Sequence, residues 1–176
     1  MSDTATSTKP ASAAGEFLGQ TVQIVMITAD LRRSMAAMAR LGVGPWNIYT
    51  LGPHNVSDAS FRGRPMTATI RVALAFVGTV MWELIEPIEG ECAQREFLDA
   101  HGDGIHHVSA DCAGLGWHER VAMFESRGFR MIQTGTWLGR VPFAYFEADD
   151  APGLCIESIL IPADFEMPAP EETYRA

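Results

Sequence analysis

Apolar positions in this chain fall into short runs with two different periods. Residues 22–28 (VQIVMIT) form a β-branched run of strand length with no helical spacing. Asp30 then stands where a helix cap belongs, and Leu31, Met35, Met38 and Leu41 recur at the spacing of one helix face before Gly42 stops the run. A strand is predicted at 46–51, then a turn-rich polar loop at 52–65 (GPHNVSDASFRGRP). Two more strands follow, at 67–77 and 79–86, turning at Gly78, and a short helix over 91–101. From Gly104 the order returns: a strand (IHHVSAD), a helix over 115–127 stopped by Gly128, and strands at 129–134, 142–148 and 154–161.

Each half therefore reads strand, helix and three strands, and the anchors align: QIVMITADLRRSMAAMARLGV with HHVSADCAGLGWHERVAMFESRGF, and MWELIEP with LCIESILIP. The predicted class is α+β, two tandem βαβββ modules (about 20–88 and 104–162) forming a curved mixed sheet around a central metal-binding cavity. Gln23 and His107 hold one place on the first strand of each half, 84 residues apart (107 − 23). Glu83 and Glu157 hold one place on the last strand, 74 apart (157 − 83), and the difference matches the longer 52–65 segment. Side chains alternate along a strand, so all four can face the other half. Buried carboxylates are costly unless paired or bound to a cation, and two beside one imidazole point to a metal.

Composition narrows the partners. Apolar residues make up 47% and charged residues 20%, enough for a packed core. The net charge is −9, with 22 acidic residues against 13 basic, and Lys9 is the sole lysine, which disfavours nucleic acid. Cys92, Cys112 and Cys155 fit neither a disulfide framework nor a thiolate zinc site and suit a reducing cytoplasm. No run of about 20 apolar residues exists to span a bilayer. Residues 1–16 read as a disordered tail, 17–162 as the domain, and 163–176 as an acidic, proline-rich tail or an arm lying on a neighbour.

Taken together, ADLRRSMAAMARLGVGPW, WELIEP, GDGIHHVSAD and GLCIES resemble the vicinal oxygen chelate superfamily, nearest its glyoxalase I and methylmalonyl-CoA epimerase branch, over about residues 20–162. The resemblance implies a metal-dependent enzyme moving a proton next to a carbonyl, as an isomerase, epimerase or glyoxalase-type lyase, on a small molecule. By position it implies metal ligands at Gln23, Glu83, His107 and Glu157, with His106 pointing the other way, toward the helix. Many members carry histidine where Gln23 stands; the Gln, Glu, His, Glu set is similar to that of zinc glyoxalase I. The implied cofactor is one divalent ion (Zn, Co, Mn, Ni or Mg), zinc first. The resemblance also implies Glu157 as catalytic base, Glu83 as its partner and a homodimer. The separate glutamate base of the epimerase branch would fall near residues 64–70, which hold no acid.

Further positions carry two readings. His54, Asp58, Arg62 and Arg64 are either a lid binding an anionic part of the substrate or a solvated loop. Arg71 is a cavity arginine or a surface partner for Glu86. Trp46, Tyr49, Trp137, Phe143 and Tyr145 shape the pocket or fill the core, with Trp46 placed among the substrate contacts. Cys155 shares a face with Glu157 as an apolar filler. Two functional alternatives stand beside the enzyme: an extradiol-type dioxygenase, weakened by the single histidine in the set, and a metal-free small-molecule-binding protein of the resistance type.

Overall fold

The computed structural model describes residues 17–175; the expected tail at 1–16 lies outside them. The strands are β1 (Thr21–Ile27), β2 (Trp46–Leu51), β3 (Val56–Phe61), β4 (Arg64–Pro65), β5 (Thr69–Val77), β6 (Val80–Glu89), β7 (Gly104–Ala110), β8 (Arg130–Trp137), β9 (Val141–Glu147), β10 (Cys155–Ile159) and β11 (Glu172–Tyr174). The helices are α1 (Leu31–Ala39), α2 (Ala93–His101) and α3 (Trp117–Glu125). Among the described residues no helix is long and apolar enough to cross a membrane.

All strands join one curved, unclosed mixed sheet in the order β11-β2-β5-β6-β1-β7-β10-β9-β8-β3-β4. The repeat is visible in the pairing. In the first half β1 runs parallel to β6, which pairs antiparallel with β5, and β5 with β2; the second half repeats this with β7, β10, β9 and β8. The halves meet where β1 and β7 pair antiparallel. α1 covers one face of the first half, its Leu31 and Met35 packed with Trp46, Ile48 and Leu84. α3 covers the second half through Phe124, which stacks on Phe146. α2 closes one end of the opposite, concave face, where Phe97 and Leu98 meet Val25, Ile27 and Ile85.

Local signals explain the helix limits. Asp30 caps α1, its Oδ1 accepting from Arg33 N at 2.9 Å. The helix ends sooner than the apolar spacing predicts. Leu41 lies beyond it and is 79% exposed, so the buried stripe stops at Met38, and Gly42 takes the left-handed φ of 81° that ends the turn.

Two segments depart from expectation. The 52–65 segment is not a loose lid: β3 and β4 extend the far edge of the sheet, β3 pairing with β8 of the other half. Such a long-range pairing leaves no trace in local periodicity. The acidic C-terminal stretch returns to its own chain. β11 pairs with β2, Glu171 accepts from Thr50 N and Oγ1 at 2.8 Å each, and Glu172 pairs with Arg32.

Candidate active site

The concave face holds a cavity of about 100 Å³, room for roughly three waters at about 30 Å³ each. Its walls are mainly apolar, with Leu51, Ile70, Val72 and Leu74 on one side and Trp137 and Phe143 on the other. Gln23, Glu83 and Glu157 open into it, while among the described residues no arginine or lysine is part of its walls.

Strand register places these groups. In parallel pairing Glu83 lies opposite Val25, two residues past Gln23, and Glu157 lies opposite Ser109, two residues past His107. The two halves thus repeat the same offset, and the equivalence inferred from the sequence holds in the geometry. Gln23 donates from Nε2 to Glu83 Oε2 at 2.9 Å. Ser109 Oγ donates to Glu157 Oε2, and His107 Nε2 stands 3.5 Å from that oxygen. His107 is fully enclosed behind Glu157 and Tyr145, its ring 4.7 Å from the phenol ring.

The electrostatics are those of an acid-rich, water-poor site. Glu83 is half-buried and lines the cavity; desolvation, then the nearby Glu157 charge, holds its carboxyl well above the usual range. Burial, then the charges of Glu157 and Glu83, pushes the Tyr145 phenol up as well, so it stays an O–H donor. Several buried polar atoms find no partner among the described residues: Gln23 Oε1, His107 Nε2, Gln94 Nε2 and Trp137 Nε1. Unpaired buried groups are uncommon and call for an explanation.

A divalent ion is tested by these atoms. Among the described residues no three His, Cys, Asp or Glu side chains gather as a ready-made metal cluster, and the two carboxylates are engaged internally by Gln23 and Ser109. Yet the two unpaired atoms of the set, an amide oxygen on Gln23 and an imidazole nitrogen on His107, are both metal-ligating types. With two carboxylates and no cationic wall residue, the donor chemistry fits a cation that would replace those internal hydrogen bonds.

The other predicted contacts fall elsewhere. Trp46 is fully buried in the core under α1, on the opposite face from the cavity, because β2 alternates and Tyr49 takes the cavity side. Arg71 is also on that outer face: it pairs in register with Glu86, and their side chains meet at 3.7 Å, so it is the surface partner and not a cavity arginine. Arg62 binds Glu96 of α2 and reaches Glu147 at 4.0 Å, and exposed Arg64 lies 3.8 Å from Glu91. Neither these arginines nor exposed His54 lines the cavity. Cys155 shares the concave side with Glu157, packed beside Tyr145 and Ile159, and its thiol is raised by burial.

His106 corrects a simple alternation. The β1–β7 register shifts between Val25/His107 and Met26/Ile105, which makes His106 the extra residue of a bulge. It therefore turns to α2, ring centroids 4.8 Å from Phe97, and its Nδ1 lies 2.8 Å from His107 Nδ1. Burial, then the neighbouring histidines, lowers its pKa to about 3. Sequence reading also passed over Ser109, Gln94 and Gln133. Only their place on the same strand faces as the acids, or on the plugging helix, could have marked them.

None of the curated proteins matches this sequence. Solved structures share the fold at low identity. A hypothetical protein from Bacillus halodurans has a TM-score of 0.63 at 18% identity, covering 84% of this chain and 98% of its own. Methylmalonyl-CoA epimerase from Mycobacterium tuberculosis has 0.62 at 18%, covering 84% and 91%. A variant of the Streptomyces coelicolor epimerase in complex with 2-nitronate-propionyl-CoA has 0.62 at 18%, covering 86% and 99%. Residues 22–145 match the family model described as "Glyoxalase/Bleomycin resistance protein/Dioxygenase superfamily", more than half of the sequence. With its paired βαβββ halves and enclosed acidic cavity, the chain belongs to that superfamily.

Proposed function

We propose that this protein is a metal-dependent enzyme that moves a proton next to the carbonyl of a small molecule, as an isomerase, epimerase or glyoxalase-type lyase. The observation that carries the reading is the pair of cavity carboxylates, Glu83 and Glu157, with no cationic wall residue among the described residues and with unpaired Gln23 Oε1 and His107 Nε2 beside them. Gln23, Glu83, His107 and Glu157 would hold one divalent ion, zinc first among the candidates. Such an ion supplies Lewis-acid polarisation of a carbonyl oxygen.

The remaining chemistry belongs to the chain. Glu157, oriented by Ser109 Oγ, takes the proton from the carbon next to the carbonyl. Glu83 belongs to the other half and is held by Gln23, so it can return a proton to the opposite side of that carbon. Tyr145, kept protonated, can donate to developing negative charge on a substrate oxygen. Desolvation holds the Glu83 carboxyl above the usual range, which suits general acid–base work near neutral pH.

A second reading, binding without a metal, draws on the internal Gln23–Glu83 and Ser109–Glu157 hydrogen bonds, which satisfy part of the set unaided. One experiment separates the two. The protein is loaded with Zn²⁺, Co²⁺ or Mn²⁺, its metal content is measured, and deuterium uptake from D₂O at the carbon next to the carbonyl of α-hydroxyketones is followed by NMR. The enzymatic reading expects bound metal near one per chain and uptake that Glu157→Gln slows at least 100-fold. No bound ion, together with uptake unchanged in Glu157→Gln, would falsify it.

A further inference from the structure

We infer that the cavity selects an uncharged carbonyl compound that carries a second oxygen acceptor at its far end, read by Gln94. The inference rests on the reading above for the reacting end of the molecule and adds the substrate class. Ala93 N, at the start of α2, donates to Gln133 Oε1 at 2.8 Å. A backbone N–H can only donate, so the Gln133 amide has one orientation and its Nε2 faces Gln94. Gln133 Nε2 then donates to Gln94 Oε1 at 3.2 Å. This fixes the second amide as well, and Gln94 Nε2 is left as a donor with no acceptor on a side chain that is 0% exposed and forms part of the cavity wall. Burying a donor without a partner is costly, and a small turn of the Gln94 amide toward the cavity would let an incoming acceptor relieve it.

Register sets the distance. Gln133 pairs with Tyr145, and Tyr145 with Glu157, so the three stand in one row across β8, β9 and β10. Strands lie about 4.8 Å apart, which puts the Gln133–Gln94 relay roughly 10 Å from the Glu157 strand. One aromatic ring with an oxygen substituent on each side spans such a gap, and Phe143 and Tyr145 supply flat walls between. Charge decides the rest. Among the described residues the wall has Glu83 and Glu157 but no arginine or lysine, so a substrate carboxylate or phosphate entering it finds no counter-ion among them.

The test uses binding to chelator-treated protein, followed by calorimetry, with three probes. They are 2-hydroxy-4′-methoxyacetophenone, 2-hydroxyacetophenone without the distal oxygen, and 4-methoxyphenylglyoxylate as the anion. The first is expected to bind about tenfold tighter than either of the others. Gln94→Leu should erase the advantage over 2-hydroxyacetophenone while leaving the Kd of that simpler ketone within twofold. The inference is overturned if the anion binds as tightly as the methoxy ketone, if Gln94→Leu weakens both ketones equally, or if none of the three binds. Should Gln94→Leu not fold, the wild-type comparisons among the three probes decide alone. Neither turnover nor metal enters, so failure here and failure of the Glu157→Gln exchange test are separate results.

Discussion

His107 Nε2 stands 3.5 Å from Glu157 Oε2, and apart from that contact it has no partner although its side chain is fully enclosed. A cation ligated there binds the folded chain and not the unfolded one, and so stabilises it by mass action. Free Zn²⁺ at 100 times its Kd should add about 2.7 kcal/mol and raise Tm by roughly 5–10 °C for a chain of this size. His107→Ala should abolish the shift, which differential scanning calorimetry with and without Zn²⁺ would show. A His107→Ala variant that kept the full shift would remove His107 from the ligand set.

Trp46 tests which face of β2 matters. It is 0% exposed and packs with Leu31, Met35 and Leu84 beneath α1, away from the cavity. Trp46→Ala should cost about 3–5 kcal/mol of stability. The milder Trp46→Phe should lower Tm while leaving the Kd of 2-hydroxyacetophenone unchanged by calorimetry. Weakened ligand binding in a well-folded Trp46→Phe protein would put this residue back at the site.

The contrast between Trp46 and Glu157 shows what the sequence could and could not carry. Glu157 was legible because its position repeats that of Glu83, and repeated halves share one register. Asp30, Gly42 and Gly128 were legible because caps and left-handed residues are local chemistry. Trp46 sits on the wrong face, and an aromatic residue in a strand gives no sign of which side it takes. Arg71 was open for the same reason until the Arg71–Glu86 register decided it. His106 does turn to a helix, but to α2 and still in contact with His107, because one inserted bulge residue resets the alternation. The β3–β8 pairing and the Gln94–Gln133 relay join residues from distant parts of the chain, and no local pattern announces them.

Asp103 staples the halves together and gives a pH signature. Its Oδ1 accepts from Ala29 N at 2.9 Å, its Oδ2 accepts from Thr28 Oγ1 at 3.1 Å, and Arg33 pairs with it. The Ala29 amide first, then Thr28 and Arg33, lower its pKa from 3.8. A depressed carboxylate pKa means that the unfolded chain takes up the proton first. The stabilisation is therefore complete above about pH 4 and is lost as pH falls through the folded pKa. With its partial exposure and screening, Asp103→Asn should cost about 1 kcal/mol at pH 7. Melting curves of the two proteins should converge once the pH has fallen through the folded pKa, and a difference that persisted in the acid limit would assign the loss to shape and not to charge.

Gly135 controls how closely the inserted β3 seats on β8. A Cβ at this position would lie 2.8 Å from Phe143 Cζ and 2.9 Å from Val56 Cγ1, both closer than real contacts allow. Phe143 is a cavity wall and Val56 begins β3, so the added methyl must displace one or the other. Moving Phe143 narrows the cavity; moving Val56 lifts the β3 edge and opens the cavity to water. Gly135→Ala should cost about 1–3 kcal/mol by overpacking. It should also weaken binding of 2-hydroxyacetophenone several-fold, whereas Gly116→Ala, at an ordinary φ of −67° where an added Cβ meets nothing within 4 Å, should leave the affinity unchanged. Hydrogen exchange distinguishes the two routes: faster exchange of the β3 amides in Gly135→Ala marks a lifted edge, and unchanged exchange marks a shifted Phe143. An alanine variant with wild-type Tm and affinity would show that β3 does not close the cavity as tightly as the Val56–Gly135–Phe143 contact requires.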